Sequence, residues 1–484
     1  MAEIHTGATI TPSKVELLTS WIGHQRWYAA KGATPQLRRL RSFRFEDPAG
    51  EVGVEVMVLA DDAGPSPVVY QVPVSYRGAP LAGAETALIG TFEHSVLGTR
   101  WVYDGCHDPV FADRLVAVLR GHDQVHSSTV DGALDDTVTG HAHPTWPAEP
   151  LVRSARVLSG EQSNTSIIID ASDGDGHAMP LMVKVFRTLQ PGHNPDVDLQ
   201  SALYEAGCHR VPSTMGHLRA HWPTAAGEPA TEGEHAAYDL AFAQEFLPGV
   251  EDAWRVASRA VEEGHDFSEA ARALGAATAE VHGTLAQTLG TTPVTHETGT
   301  AIVEEMRARF SAAVGEVEQL ARFADLVDGV LERAAAAPWP PMQRIHGDYH
   351  LGQVLHSAAR GWILLDFEGE PMRPLAERAL PDQWIRDVAG MLRSLDYCGG
   401  AWELDNPGSA RPWVTAAQTA FLQGYAVASG VDPLTHEALL TAFELDKAMY
   451  EVVYEARNRP DWVSIPLAAI DRLTAGHDAQ KESP

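Results

Sequence analysis

Apolar positions first recur at helical spacing, at Val15, Leu17, Leu18 and Trp21, with Pro12 and Ser13 marking the start of a helix somewhere in residues 11 to 28. From about Leu37 to Glu93 the pattern shortens to runs such as 52–59 and 68–74, broken by Asp61, Asp62, Gly64 and Pro65. Short apolar runs between turn residues predict an antiparallel β module. Residues from about Ser127 to Pro150 are rich in Thr, Asp, Gly, His and Pro and read as an excursion or linker. A second β region follows, with strands expected over 151–158, 166–170 and 180–186. From about Asp252 the period is helical, over 267–289, 300–337, 384–395 and 412–455. One hairpin interrupts those helices, and no internal repeat is visible. The order is thus a β module, a second β module, and a mostly helical half.

Length fits two or three domains or lobes in a chain of 484 residues. Hydrophobic residues make up 44%, with 12 Trp and 13 Phe, so the chain folds rather than staying disordered. A formal net charge of −29 argues against nucleic acid and against an anionic membrane surface, both of which need basic protein. Cys106, Cys208 and Cys398 are odd in number and far apart, which disfavours a disulfide framework or a zinc site. The chain shows no basic start followed by an apolar run and no long uncharged apolar stretch, so the expected location is the cytoplasm.

The interrupting hairpin carries the chemistry. Its first stretch reads His346-Gly347-Asp348-Tyr349-His350-Leu351-Gly352-Gln353, and its second Leu364-Leu365-Asp366-Phe367-Glu368-Gly369-Glu370. Two carboxylates at one end of a hairpin suit phosphoryl transfer: one orients or deprotonates the attacking hydroxyl, the other holds Mg²⁺ against a nucleotide phosphate. Gln353 adds a neutral oxygen ligand. His346 and His350 are expected to hold the loop through backbone hydrogen bonds, and Glu370 to pair with Arg373 or Arg378.

Upstream, Ser159-Gly160-Glu161-Gln162-Ser163-Asn164-Thr165-Ser166 lies between two predicted strands. Small polar residues let backbone N–H groups approach phosphate oxygens, although no Walker pattern follows. On the next strand Lys184 is a lone charge among apolar residues, costly unless paired. Asp198 and Glu205, on a helix opened by Pro195, are both candidate partners. The stretch Gln244-Glu245-Phe246-Leu247-Pro248-Gly249 closes the β region and reads as a connecting strand able to bond an adenine edge.

With these motifs in hand, the chain resembles the actinobacterial maltokinase-like sugar kinases, within the wider protein-kinase-like and aminoglycoside-phosphotransferase-like group. The resemblance spans nearly the whole chain, from Gln25-Arg26-Trp27-Tyr28 through both hairpin motifs to Arg457-Asn458-Arg459-Pro460. It implies an α+β, bilobal protein-kinase-like fold: an N-terminal cap subdomain (1–95), a β-rich N-lobe (96–250) and a helical C-lobe (251–484), with ATP between the lobes. Carried onto matching positions, it implies Asp348 as catalytic base and Gln353 and Asp366 as Mg²⁺ ligands. Lys184 would contact ATP phosphates, joined at the nucleotide by Ser163, Asn164, Thr165, Gln244, Glu245 and Leu247.

Two subgroups share this plan, one making maltose 1-phosphate and one phosphorylating glucosamine at O6. Ala29-Ala30-Lys31 and Asp252-Ala253-Trp254-Arg255 depart from the maltokinase pattern, which favours glucosamine. Glucosamine is substantially cationic near neutral pH. Trp402, Glu403 and Asp405, shortly after a predicted helix, offer a ring face and carboxylates for it, with His350 and Asp348 at the reacting end. The expected partners are therefore ATP and a small sugar. The alternatives are a maltokinase, an aminoglycoside kinase, and an inactive ATP- or sugar-binding regulator; the last is disfavoured by the presence of Asp348, Gln353, Asp366 and Lys184.

Overall fold

A computed structural model describes residues 7–128, 133–146, 150–158, 163–223, 235–371 and 373–475. The chain divides into two compact units, residues 1–197 with 213–248, and residues 198–212 with 249–484.

The first unit opens with α1 (Lys14–Ile22), started by a capping box in which Ser13 and Glu16 satisfy each other's backbone N–H groups. Five antiparallel strands follow: β1 (Leu37–Phe45), β2 (Gly53–Asp61), β3 (Val68–Arg77), β4 (Leu88–His94) and β5 (Gly98–Asp104). Their spatial order is β4-β5-β3-β2-β1, extended at its edges by two-residue strands. Strand β2 is buried almost throughout because it is central and covered on both faces. Helix α2 (Pro109–Leu119) begins with Asp108 as N-cap and Pro109 at its first turn.

A second antiparallel sheet comprises β6 (Val138–Ala142), β7 (Leu151–Val157), β8 (Asn164–Ser172), β9 (Leu181–Phe186), β10 (Thr214–Pro223) and β11 (His235–Glu245), in the order β6-β10-β11-β9-β8-β7. Part of the expected linker is therefore an edge strand. Residues 138–142 hide this because only Val138 is buried, while the ladder runs through the backbone opposite Gly216 to Ala220. Helix α3 (Pro195–Glu205) follows β9. The two sheets of this unit share a core that includes Phe43, Phe45, Phe111, Ile167, Val183 and Phe242.

Arg187 ties them together. It is wholly buried and donates to both Asp104 carboxylate oxygens and to Thr165 Oγ1, with its guanidinium over the Trp27 ring. Arg26 Nη2 also donates to the Asn164 carbonyl. Both arginines thus grip the first residues of β8.

The second unit is helical: α4 (Ala253–Glu262), α5 (Ser268–Leu289), α6 (His296–Glu316) and α7 (Ala324–Ala336), then the hairpin β12 (Val354–Ser357) and β13 (Gly361–Leu364). After it come α8 (Trp384–Asp405), α9 (Arg411–Ser429), α10 (Glu437–Asn458) and α11 (Ser464–Ala475). The helical pattern expected over 300–337 is two helices, parted by a short 3₁₀ turn at Glu318–Phe323. Helices α5 and α9 meet backbone to backbone: a Cβ at Gly275 would lie 2.0 Å from the Phe421 carbonyl oxygen. Leu199, Leu203, Cys208 and Val211 belong to this unit's core, an excursion of the chain that the apolar pattern did not announce.

Candidate active site

The loop from His346 to Gln353 is held from behind by Asp387 of α8. That carboxylate accepts the backbone N–H groups of His346 (2.8 Å) and Gly347 (2.9 Å) and contacts His282 Nε2 at 3.0 Å. His282 in turn contacts the Tyr425 hydroxyl through Nδ1. Gly347 has φ +84°, and a Cβ there would press on Gly369 at 3.2 Å, so glycine is required where the two loops touch. On the other side Tyr349 Oη meets Thr278 Oγ1 at 2.8 Å, and Leu351 N donates to Ser394 Oγ. His346 Nε2 lies 2.8 Å from the Leu365 carbonyl oxygen, and His350 Nδ1 accepts from Gly352 N.

Asp348 is thereby presented into a cavity of about 380 Å³ whose wall includes Glu370, Arg386, Asp446, Lys447 and Tyr450. Lys447 Nζ donates to Asp348 Oδ1 at 3.2 Å and to Glu370 Oε1 at 3.3 Å. Burial works against charge on Asp348, but Lys447 with His350 and His346 overcomes it, so its carboxyl lies below the usual range. Burial lowers the His350 pKa, which favours a neutral ring. Glu370 faces Lys447; Arg378 instead donates to the Glu368 carbonyl, and Arg373 N bonds the Glu370 carbonyl. The expected Glu370–arginine ion pair is replaced by a contact with a lysine 77 residues away.

Asp366 follows β13 and is the only described non-glycine residue with positive φ, at 63°. Strain of this kind persists where the surroundings fix it, often at functional sites. Its Oδ2 accepts from Gln353 Nε2 at 3.1 Å. Turning that amide over would place two oxygens side by side, a donor set that suits a hard divalent cation.

In the β-rich unit, Lys184 donates to Asp196 at 2.6 Å, and both are buried. The expected partners were Asp198 and Glu205. Asp196 is wholly buried in the first turn of α3 beside Lys184, whereas Asp198, two residues on, is half-buried and Glu205 ends the helix exposed. Residues 159–162 of the expected phosphate loop lie outside the described residues. Ser163 is exposed; Asn164 and Thr165 are buried at the start of β8, and the Thr165 hydroxyl is taken by Arg187. Gln244 and Glu245 end β11, where Glu245 accepts from Ser213 N and Oγ; Leu247 follows in the connection.

Trp402, Glu403 and Asp405 do not join Asp348. Helix α8 was expected to stop near 395 but runs to Asp405, ten residues or about 15 Å further. Glu403 accepts from Ser409 Oγ and Ala410 N and lines a different cavity. Lys447 and Asp387 went unassigned in the sequence because each sits in an ordinary helical pattern and its partners are remote in the chain.

A family model described as the phosphotransferase enzyme family matches residues 154–439, more than half of the chain. The chain belongs to this family. A model described as the maltokinase N-terminal cap domain matches residues 21–108. Among relatives of this phosphotransferase, the glucosamine kinase of Streptacidiphilus jiangxiensis is 29% identical over 342 residues, 66% of this chain and 74% of the relative. A glucosamine kinase of Mycolicibacterium smegmatis is 28% identical over 355 residues, 67% and 81% of the two chains. A solved glucosamine kinase in complex with glucosamine, ADP and inorganic phosphate is 25% identical, with a TM-score of 0.64 over 96% of this chain and 99% of that one. Among the described residues no helix is long and apolar enough to cross a membrane.

Proposed function

We propose that this phosphotransferase is a glucosamine kinase, moving the γ-phosphoryl group of ATP to O6 of D-glucosamine to give glucosamine 6-phosphate and ADP. The observation that carries the reading is the likeness, over nearly the full length of both chains, to the glucosamine kinase complex. The Asp348 cavity supports it: seven carboxylates, among them Asp348, Glu370 and Asp446, face five basic side chains, among them Lys447 and Arg386. An acidic excess suits an ammonium-bearing acceptor, and a neutral sugar gains nothing from it. Glu370, at the cavity wall, takes the role first given to Glu403 and Asp405.

In this reading Asp348 accepts the O6 proton as the hydroxyl attacks, and Lys447 keeps it ionised and aimed. Asp387 fixes the loop by holding two of its N–H groups. Lys184, braced by Asp196, meets nucleotide phosphate. Gln353 and Asp366 would hold Mg²⁺, which when bound neutralises phosphate charge. The cap match gives the maltose reading its support. Turnover of ATP with glucosamine, glucose and maltose in parallel decides: glucosamine is expected to lead, and maltose turnover without glucosamine turnover overturns the proposal. Asp348→Asn should lower kcat on glucosamine by about 10²–10⁴-fold.

A further inference from the structure

A second cavity of about 390 Å³ lies in the helical unit and shares no lining residue with the Asp348 cavity. Its wall brings together Asp396 of α8, Ser409 and Arg411 at the start of α9, and Ser464 and Arg472 at the two ends of α11. Three guanidiniums converge on the one Asp396 carboxylate: Arg393, Arg411 (to Oδ1, 2.5 Å) and Arg472 (to both oxygens, 2.6 and 2.5 Å). Arg393 is fully buried and also donates to Glu451, so it is spent on internal partners. Arg411 and Arg472 keep roughly a third or more of their side chains exposed.

Arg411 and Arg472 are therefore the cations on the cavity side, set on its wall against Asp396 and Glu403. Burial pushes the nearby Glu444 carboxyl up to about 8, so it cancels little of that charge at neutral pH. Glu403 is the remaining wall carboxylate, and it is turned to Ser409 Oγ and Ala410 N. The beginnings of α9 and α11 both border the space, and helix N-termini favour anions. Guanidinium groups with the adjacent Ser464 hydroxyl match the oxygens of a phosphate group.

We propose that this cavity is a second ligand site, taking inorganic phosphate or a small phosphate monoester, and that its occupancy is felt at Asp348. A ligand drawing Arg411 and Arg472 from Asp396 changes the charge facing Arg393. Arg393 bonds Glu451, which acts electrostatically on Lys447, one turn away on α10 and bonded to Asp348. The effect on turnover rests on the kinase reading; the binding does not.

The test is calorimetric titration of the full chain with inorganic phosphate, without nucleotide or metal. Saturable binding is expected. Arg411→Gln/Arg472→Gln and, separately, Ala468→Glu, which puts a carboxylate into the cavity from an exposed helix position, should each weaken it by about tenfold or more. The second variant removes neither arginine, so a folding defect in the first does not decide the matter. Absence of saturable binding to the parent chain, or an unchanged affinity in Ala468→Glu, overturns the site. A glycerol phosphate titration distinguishes monoester from free phosphate. Phosphate that binds but shifts neither KM nor kcat for the acceptor overturns the coupling and leaves the site.

Discussion

Each unit of this phosphotransferase holds a lysine against an aspartate, and the two pairs are built differently. In the β-rich unit Lys184 and Asp196 are 12 residues apart, 2.6 Å in contact and almost out of water. In the helical unit Lys447 and Asp348 are 99 residues apart, 3.2 Å in contact, and each side chain is about a fifth exposed. The first lysine has a buried anion close by and is held in one place. The second divides its charge between Asp348 and Glu370 at the wall of an open cavity. A buried pair fixes position, at the cost of desolvating both ions. A half-open pair leaves a carboxylate ionised yet reachable by a hydroxyl, which is what a base needs.

The sharpest way to break this contrast is Lys184→Met. It strands Asp196 in the interior and is expected to cost about 3–5 kcal/mol in urea unfolding, with Lys184→Met/Asp196→Leu recovering most of it. A loss below about 1 kcal/mol would show that water reaches Asp196.

Lys447→Met should cost less stability, because its pair is partly solvated, but should move the pH profile. Lys447 now lowers the Asp348 pKa against burial. A depressed carboxylate contributes stability above its unfolded value and loses it as pH falls through the folded value. Without the lysine both the acid limb of kcat/KM and the onset of acid destabilisation move to higher pH. An unmoved acid limb would mean that another group sets it.

The smallest effect is expected from Glu205→Gln, within about 0.5 kcal/mol by the same unfolding assay. It separates the sequence-based partner for Lys184 from the observed one.

Particular residues explain what could be read in advance. The Asp348 and Asp366 loops stood out because Gly, His and Asp interrupt apolar strands at close spacing, so proximity followed from a hairpin. Lys184 stood out as a charge within Leu181–Phe186. Its partner did not, since Asp196 and Asp198 beside Pro195 differ in sequence only by helical phase. Trp402 to Asp405 misled because Gly399-Gly400 reads as a stop inside α8, whereas the helix runs on to Asp405, where the Asn406 side chain donates to the Trp402 carbonyl. The edge strand Val138–Ala142 was hidden because its ladder uses backbone groups and buries little.

The sequence by itself determined the succession of β-rich and helical regions and the hairpin with its two acidic loops, because hydrophobic period and turn chemistry are local. Only the tertiary structure decided that Lys447 faces Asp348, that Asp387 holds the loop, that Asp196 pairs with Lys184, and that Arg411 and Arg472 share Asp396. Those contacts join residues on separate elements, and their energy comes from desolvated charges that meet only when the helices and sheets have packed.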